Sequence, residues 1–162
     1  LPDLRYSDDE AAREYSKAPD YVSHARSAGA EMYRQLGDGL VTDHRGLAVR
    51  GLIIRLLILP NGLAGLRSTL EWIRDTLSAR VTLSVMSQYY PAHKAAGSGY
   101  PLLSRRIRPG EYAKVLEWLE YFGFENGWIQ PLEEDAASYY RPDFSNPSLP
   151  FADARDFRAG PA

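Results

Sequence analysis

The sequence contains no cysteine, and this absence limits its chemistry more than any other feature. Without a thiol, the chain forms no disulfide and cannot supply thiolate ligands to an iron–sulfur cluster. The three histidines, His24, His44 and His93, are too far apart along the chain to form the paired spacing of a zinc site. Any cluster chemistry therefore has to draw its ligands from outside this chain.

Long apolar runs and excess basic charge are also absent. No stretch approaches the roughly 20 apolar residues that a membrane-spanning helix needs. The formal net charge is −2, so no overall basic field indicates nucleic acid. No signal peptide is recognisable, and the sequence starts Leu1-Pro2-Asp3 without an initiator methionine. We expect a cytoplasmic fragment or processed chain with no membrane or nucleic-acid partner.

The central feature that is present is the apolar, partly β-branched stretch Gly51–Pro60. Its length and the turn residues that close it predict a buried strand. Because both of its faces are hydrophobic, we expect a parallel sheet that is covered on both sides. One charge, Arg55, lies in its middle, and a guanidinium cannot be neutralised by losing a proton. Arg55 therefore either reaches solvent or meets an anionic partner.

Further strands and helices alternate along the chain. Leu1–Tyr6 has extended character, Val81–Ser87 is the next predicted strand after Gly51–Pro60, and Trp128-Ile129 is a last short one. Residues 43–46 predict a turn between two short β segments. This order predicts an α/β domain over residues 1–130, with parallel strands and outer helices. Residues 131–162, rich in Pro, Asp and Ser, predict an irregular C-terminal tail.

Capping residues mark the predicted helix starts. Ser7-Asp8-Asp9-Glu10 and Ser68-Thr69-Leu70-Glu71 fit the capping-box pattern, with the serine of each as N-cap. Asp20 is the predicted N-cap of a second helix, and Pro109 fits the first position of the last helix. Before Pro109 lies a basic cluster, 105–108. It can bind an acidic substrate or partner surface, but we favour the interpretation that its charges are solvated.

Seven short motifs are specific in combination and spread over most of residues 1–150. They are Asp3-Leu4-Arg5-Tyr6, Ala18-Pro19-Asp20-Tyr21, Glu31-Met32-Tyr33-Arg34-Gln35-Leu36-Gly37, Arg50-Gly51-Leu52-Ile53-Ile54-Arg55, Leu59-Pro60-Asn61-Gly62-Leu63, Met86-Ser87-Gln88-Tyr89 and Glu125-Asn126-Gly127-Trp128-Ile129-Gln130. With them the chain resembles the C-terminal half of radical S-adenosylmethionine proteins of the pyruvate formate-lyase activating enzyme-like group. The resemblance implies strands four to six of a partial (β/α)6 TIM-like barrel.

The resemblance implies two cofactors. S-adenosylmethionine is the first, and the second is a [4Fe-4S] cluster whose CxxxCxxC loop belongs to the first half of the family's barrel. In the family, an Arg on the strand that matches Arg55 contacts the methionyl carboxylate of S-adenosylmethionine. Asp3 and Arg5 match an Asp-Leu-Lys sequence, in which the Asp positions the cofactor through a bound cation and the Lys contacts it. Arg5 keeps the charge of that Lys but changes its shape and hydration.

Ser87, Gln88 and Tyr89 match the end of strand six, where the resemblance places them at the adenosyl group. Each candidate also has a plain structural interpretation. Arg55 can be an edge-strand side chain that snorkels to solvent, and Asp3 and Arg5 can be solvated chain ends. Residues 87–89 can be a polar turn of the kind that any strand end requires.

Two hypotheses for function remain open at this stage. The first is the C-terminal portion of a radical S-adenosylmethionine enzyme, in which this chain contributes no catalytic residue and holds the cofactor. The resemblance then implies a glycyl-radical-type protein substrate. The second is a non-catalytic binding or interaction module on a remnant half-barrel. In either case a half-barrel exposes a strand edge and an apolar inner face, so we expect it to associate with itself or with the missing N-terminal half.

Overall fold

A computed structural model of the chain describes residues 1–97 and 99–132. The helices are α1 Asp9–Ser16, α2 Tyr21–Leu36, α3 Leu66–Trp72 and α4 Pro109–Tyr121, and α3 continues into a π-helical turn, Ile73–Leu77. The strands are β1 Val41–Thr42, β2 Ala48–Arg50, β3 Ile53–Leu57, β4 Thr82–Met86 and β5 Gly127–Ile129. None of the described helices is both long and apolar enough to cross a membrane. The predicted tail lies outside the described residues, except for Pro131 and Leu132.

The main sheet is parallel, and its strands lie side by side in chain order. β4 pairs with β3 on one side and with β5 on the other. On the far side of β3, the N-terminal segment forms a parallel bridge between Asp3 and Arg55. Leu4 donates to the Arg55 carbonyl, and Arg55 donates to the Pro2 carbonyl. The predicted α/β architecture with a parallel sheet and helices is therefore confirmed.

Only one face of this sheet is covered by the described helices. Ile54, Leu56, Leu83 and Val85 point to that covered face and are buried. The residues that alternate with Ile54 and Leu56 in β3 are only partly buried, in the pattern expected of a strand with one packed face. The expectation of a sheet covered on both sides was wrong for the described part of the chain. Right-handed crossovers between strands in chain order place every connecting helix on the same side.

Two predicted helix starts differ from the structure. Asp8, not Ser7, caps α1, with its carboxylate accepting from the amides of Glu10 and Ala11. The Ser7 amide instead donates to the Ala64 carbonyl, which holds Ser7 against the loop after β3. The capping box at Ser68 is also wrong, because α3 already begins at Leu66 after a left-handed Gly65.

Other local predictions are confirmed. Asp20 is the residue before α2, although its side chain makes no capping hydrogen bond. Pro109 is the first residue of α4, where its missing N–H costs nothing. The turn at residues 43–46 joins β1 and β2 as an antiparallel hairpin. The Asp43 carboxylate stabilises this turn by accepting from the amides of Arg45 and Leu47.

Candidate functional site

The side of the main sheet that no described helix covers is a half-buried surface, the open face. Its side chains are those of Asp3, Ile53, Arg55, Leu57, Ser84, Met86 and Trp128. Strand register places Asp3, Arg55, Ser84 and Trp128 in one row across the sheet. A positive charge, a negative charge and a hydroxyl therefore lie among apolar groups on a half-buried surface. Such a surface can bind a ligand that is partly charged and partly apolar.

Arg55 and Asp3 form a bidentate ion pair on the open face. The Arg55 Nε donates to Asp3 Oδ1 at 2.5 Å and its Nη2 donates to Asp3 Oδ2 at 2.7 Å. The carboxylate raises the pKa of Arg55, so the guanidinium stays charged. The side chains keep 40% and 36% of their surface exposed. Arg55 thus has both of the outcomes that its sequence position allowed, an anionic partner and contact with solvent.

This geometry uses two of the three guanidinium nitrogens of Arg55. Nε and Nη2 face Asp3, whereas Nη1 makes no hydrogen bond to any described residue. Because an arginine carries five N–H donors in a planar fork, Nη1 can donate to a second anionic group. The pair as a whole is close to neutral, which lowers the cost of its partial burial.

Arg5 shares the segment of Asp3 but not the ion pair. Its side chain is exposed, and it is the backbone amide of Arg5 that is fixed, by donating to the Tyr21 hydroxyl at 2.8 Å. The same hydroxyl donates to the Asp3 carbonyl at 3.0 Å. The backbone of the Asp-Leu-Arg motif is therefore held in place, while the Arg5 side chain has no described partner that fixes it.

The three residues at the end of β4 take different positions. Ser87 is buried, with its hydroxyl donating to the Pro131 carbonyl and its amide donating to Gln130 Oε1. The Tyr89 hydroxyl donates to the Leu103 carbonyl at 2.7 Å, and burial raises the pKa of Tyr89. Gln88 is exposed, and its side-chain nitrogen makes only a long contact of 3.8 Å to the Met86 sulfur. Of the three, Gln88 is the one whose amide is available to a ligand.

A second polar cluster, here called the clamp, consists of Asn61, Arg105 and Glu111. The guanidinium of Arg105 donates to both carboxylate oxygens of Glu111 at 2.8 Å and to Asn61 Oδ1 at 2.7 Å. Glu111 also accepts from the amides of Asn61 and Arg108. With the Arg105 guanidinium as the main cause, the pKa of Glu111 falls to about 2.

The clamp joins the loop after β3, the loop after β4 and the start of α4. Sequence reasoning missed it, and the interpretation of Arg105 as a solvated charge was wrong, since its side chain is only 27% exposed. Two local signals were available. The first is Asn61-Gly62, a pair typical of turns with a left-handed residue, and Asn61 does adopt a left-handed backbone. The second is Glu111, the third residue of the helix that begins at Pro109, a position from which a side chain reaches back to the N-cap.

Within residues 1–97 and 99–132, no group of three or more acidic or histidine side chains is arranged to hold a metal ion. The described residues thus offer one charged pair on the open face, one exposed amide at Gln88 and one partly buried clamp that joins the loops. Comparison of the chain with protein-family models, with curated proteins and with solved structures found no match.

Proposed function

We propose that this chain is the C-terminal portion of a radical S-adenosylmethionine enzyme resembling pyruvate formate-lyase activating enzyme. In this proposal the chain holds S-adenosylmethionine for reductive cleavage and hydrogen abstraction, and the other half of the protein holds the cluster. The observation that carries the proposal is Arg55, whose Nη1 is unused by the described residues and lies on a half-buried open face. A carboxylate is the natural acceptor for such a donor.

The arrangement of the strands supports the barrel part of this proposal. The N-terminal segment, β3, β4 and β5 are parallel and adjacent in chain order, as strands of a barrel are. Helices that follow them cover one face only, so the open face corresponds to the interior of the proposed partial barrel. In such barrels the reacting groups gather at the carboxyl ends of the strands, where Arg5 and Gln88 are found.

The two cofactors fit this chain differently. The chain has no cysteine, so it contributes no thiolate ligand to a [4Fe-4S] cluster. S-adenosylmethionine fits the residues that are present. Arg55 would hold its methionyl carboxylate, Asp3 would orient that guanidinium, and the Gln88 amide would bind the adenosyl group. When it is bound at a cluster, S-adenosylmethionine supplies the oxidising fragment for hydrogen abstraction.

Partners and location follow from the same proposal. The missing N-terminal half would cover the open face, whose apolar members are Ile53, Leu57 and Trp128. The substrate would be a glycyl-radical-type protein presented at the carboxyl edge of the sheet. The enzyme would be cytoplasmic, where an oxygen-sensitive cluster can be kept reduced.

Calorimetric titration of the chain with S-adenosylmethionine tests the proposal. Arg55→Ala removes the proposed carboxylate donor, and we expect affinity to fall by about tenfold or more, since a charge-assisted hydrogen bond contributes about 1.5–3 kcal/mol. Arg34→Ala is the matched control, because Arg34 is an exposed arginine paired only with Glu31 on α2. Equal affinities for Arg55→Ala and wild type would contradict the assigned role of Arg55.

A second function, a non-catalytic interaction module, is favoured by one observation. Asp3 already supplies a complete bidentate counter-charge to Arg55, so the pair is satisfied without a ligand. If wild type and Arg34→Ala both fail to bind S-adenosylmethionine while the chain is folded, the module is the better account. Saturable binding that depends on Arg55 would count against it.

A further inference from the structure

Among the described residues, a side chain and not a strand occupies the outer edge of the N-terminal segment. Pro2 and Leu4 direct their carbonyl and amide toward β3, so Asp3 and Arg5 direct theirs to the opposite side. There the Tyr21 hydroxyl donates to the Asp3 carbonyl at 3.0 Å and accepts from the Arg5 amide at 2.8 Å. Both outward backbone groups at this point of the edge are therefore satisfied by one oxygen.

This pattern reproduces what a neighbouring parallel strand does. A residue opposite Leu4 on such a strand would donate its amide to the Asp3 carbonyl and accept the Arg5 amide on its own carbonyl. We propose that Tyr21 is a positioning residue that replaces this one residue of a neighbouring strand. It ends the sheet at Asp3 and fixes the backbone that carries Asp3 and Arg5.

The Tyr21 hydroxyl is held in place by contacts independent of the sheet. Tyr21 is the first residue of α2, and its ring packs edge-to-face on Tyr6 with centroids 5.7 Å apart. The Val22 amide donates to Asp9 Oδ1 at 2.8 Å, which ties the start of α2 to α1. A fixed ring with a polar tip can act as a rigid support for the strand edge.

Tyr21 thereby helps to position Asp3 in the proposed cofactor site, an inference that rests on the proposed function. With β3 on one side and Tyr21 on the other, Asp3 is held where its carboxylate meets Arg55 Nε and Nη2, so that no described residue bonds Nη1. Tyr21 also limits how far a strand of the proposed N-terminal half can pair with this edge. Such a strand can form backbone hydrogen bonds with Leu1 and with the Asp3 amide. It cannot continue to the Asp3 carbonyl and the Arg5 amide, because the Tyr21 hydroxyl already bonds both.

Tyr21→Phe tests the proposal, with Tyr6→Phe as a control that removes the hydroxyl of the other ring in the same pair. The Tyr6 hydroxyl hydrogen-bonds Ser16 Oγ, whereas the hydrogen bonds to the Asp3 carbonyl and the Arg5 amide belong to Tyr21. Amide hydrogen exchange followed by NMR should become about fivefold faster at Arg5 in Tyr21→Phe and stay within about twofold in Tyr6→Phe, since one hydrogen bond contributes about 1 kcal/mol. Unchanged exchange at Arg5 would overturn the edge role.

A spectroscopic readout separates positioning from stability. The Arg55 Nε–H resonance reports its bond to Asp3, and we expect it to shift in Tyr21→Phe and not in Tyr6→Phe. S-adenosylmethionine affinity should fall only in Tyr21→Phe. An unmoved Arg55 resonance would overturn the positioning role. If wild type binds no S-adenosylmethionine, the proposed function fails, and the Arg5 and Arg55 readouts still decide the role of Tyr21.

The wild-type protein supplies a test that does not depend on either variant folding. No described strand flanks Arg5 on its outer side, so its amide should exchange rapidly unless Tyr21 protects it. We expect protection at Arg5 comparable with that at Leu4, which donates to the Arg55 carbonyl. Exchange at Arg5 as fast as that of an exposed loop amide would overturn the proposal.

Discussion

Replacement of Glu111 by Gln should destabilise the fold through the clamp. The substitution keeps the size of the side chain but removes the charge that receives Arg105 and the amides of Asn61 and Arg108. A pKa lowered from 4.5 to about 2 corresponds, at about 1.36 kcal/mol per pH unit, to about 3 kcal/mol. Since Glu111 is 23% exposed, solvent screens part of this, and we expect a loss of about 2 kcal/mol at pH 7.

The contribution of Glu111 depends on pH in a defined direction. Its folded pKa is lower than its unfolded pKa, so the stabilisation is fully present above about pH 4.5. It is lost progressively as the pH falls from 4.5 toward 2. The difference in stability between wild type and Glu111→Gln should therefore be largest at neutral pH and shrink in acid.

Urea denaturation at pH 7 and at pH 3 measures both effects. Glu31→Gln is the matched control, because the pKa of Glu31 is also lowered to about 2 by an arginine, Arg34, yet this pair lies on the exposed surface of α2. An exposed ion pair contributes little to stability, so the control should keep the wild-type midpoint. The reasoning would be refuted if the two variants lost equal stability, or if the Glu111→Gln difference grew in acid.

Three further changes test the packing and hydrogen bonds around the sheet. Leu56→Ala deletes a fully buried side chain of the covered face and should cost about 2–5 kcal/mol in urea denaturation. Ser87→Ala removes the buried hydroxyl that donates to the Pro131 carbonyl and should cost about 0.5–1.5 kcal/mol, measured the same way. Gly127→Ala places a methyl group on the Leu83 carbonyl at a backbone φ of +125°, so hydrogen exchange should show that β5 loses protection while β3 keeps it.

The strands were predictable because local patterns determine them. The apolar run around Arg55 and the pair Trp128-Ile129 carry the period and composition of strands, and both form strands in the sheet. Whether helices cover one face of the sheet or both was not predictable from the apolar run around Arg55. Ile53 and Leu57 are hydrophobic but lie on the open face, so hydrophobicity on both sides of a strand did not mean helices on both sides.

The predictions of two helix starts were wrong because backbone conformation and backbone contacts, not the residue type of the serines, determine where these helices begin. Ser68 lies in an apparent capping box, but Gly65, three residues after the left-handed Gly62, also takes a left-handed conformation, and α3 starts directly after it. Ser7 likewise has the residue type of an N-cap, yet its amide is engaged by Ala64 and the cap moves to Asp8. The Ser7 error comes from a tertiary contact and the Ser68 error from a backbone conformation, and the capping pattern contains neither.

The candidate site was predicted as a set of residues but not as an arrangement. The family resemblance put Asp3 and Arg55 in one site, yet their direct ion pair joins residues 52 positions apart and depends on strand register. The clamp was missed for the same reason, since Asn61 and Arg105 are 44 positions apart. Tyr21 was visible only as part of a motif, because its role depends on which backbone groups face outward.

The most direct test of the account is an NMR titration of the Arg55 guanidinium with S-adenosylmethionine. We predict that the Arg55 side-chain resonances shift saturably, while those of Arg105, whose guanidinium is already occupied by Glu111 and Asn61, stay unchanged. Arg55 resonances that do not move at concentrations that saturate the protein would contradict the central claim that this side chain receives the carboxylate.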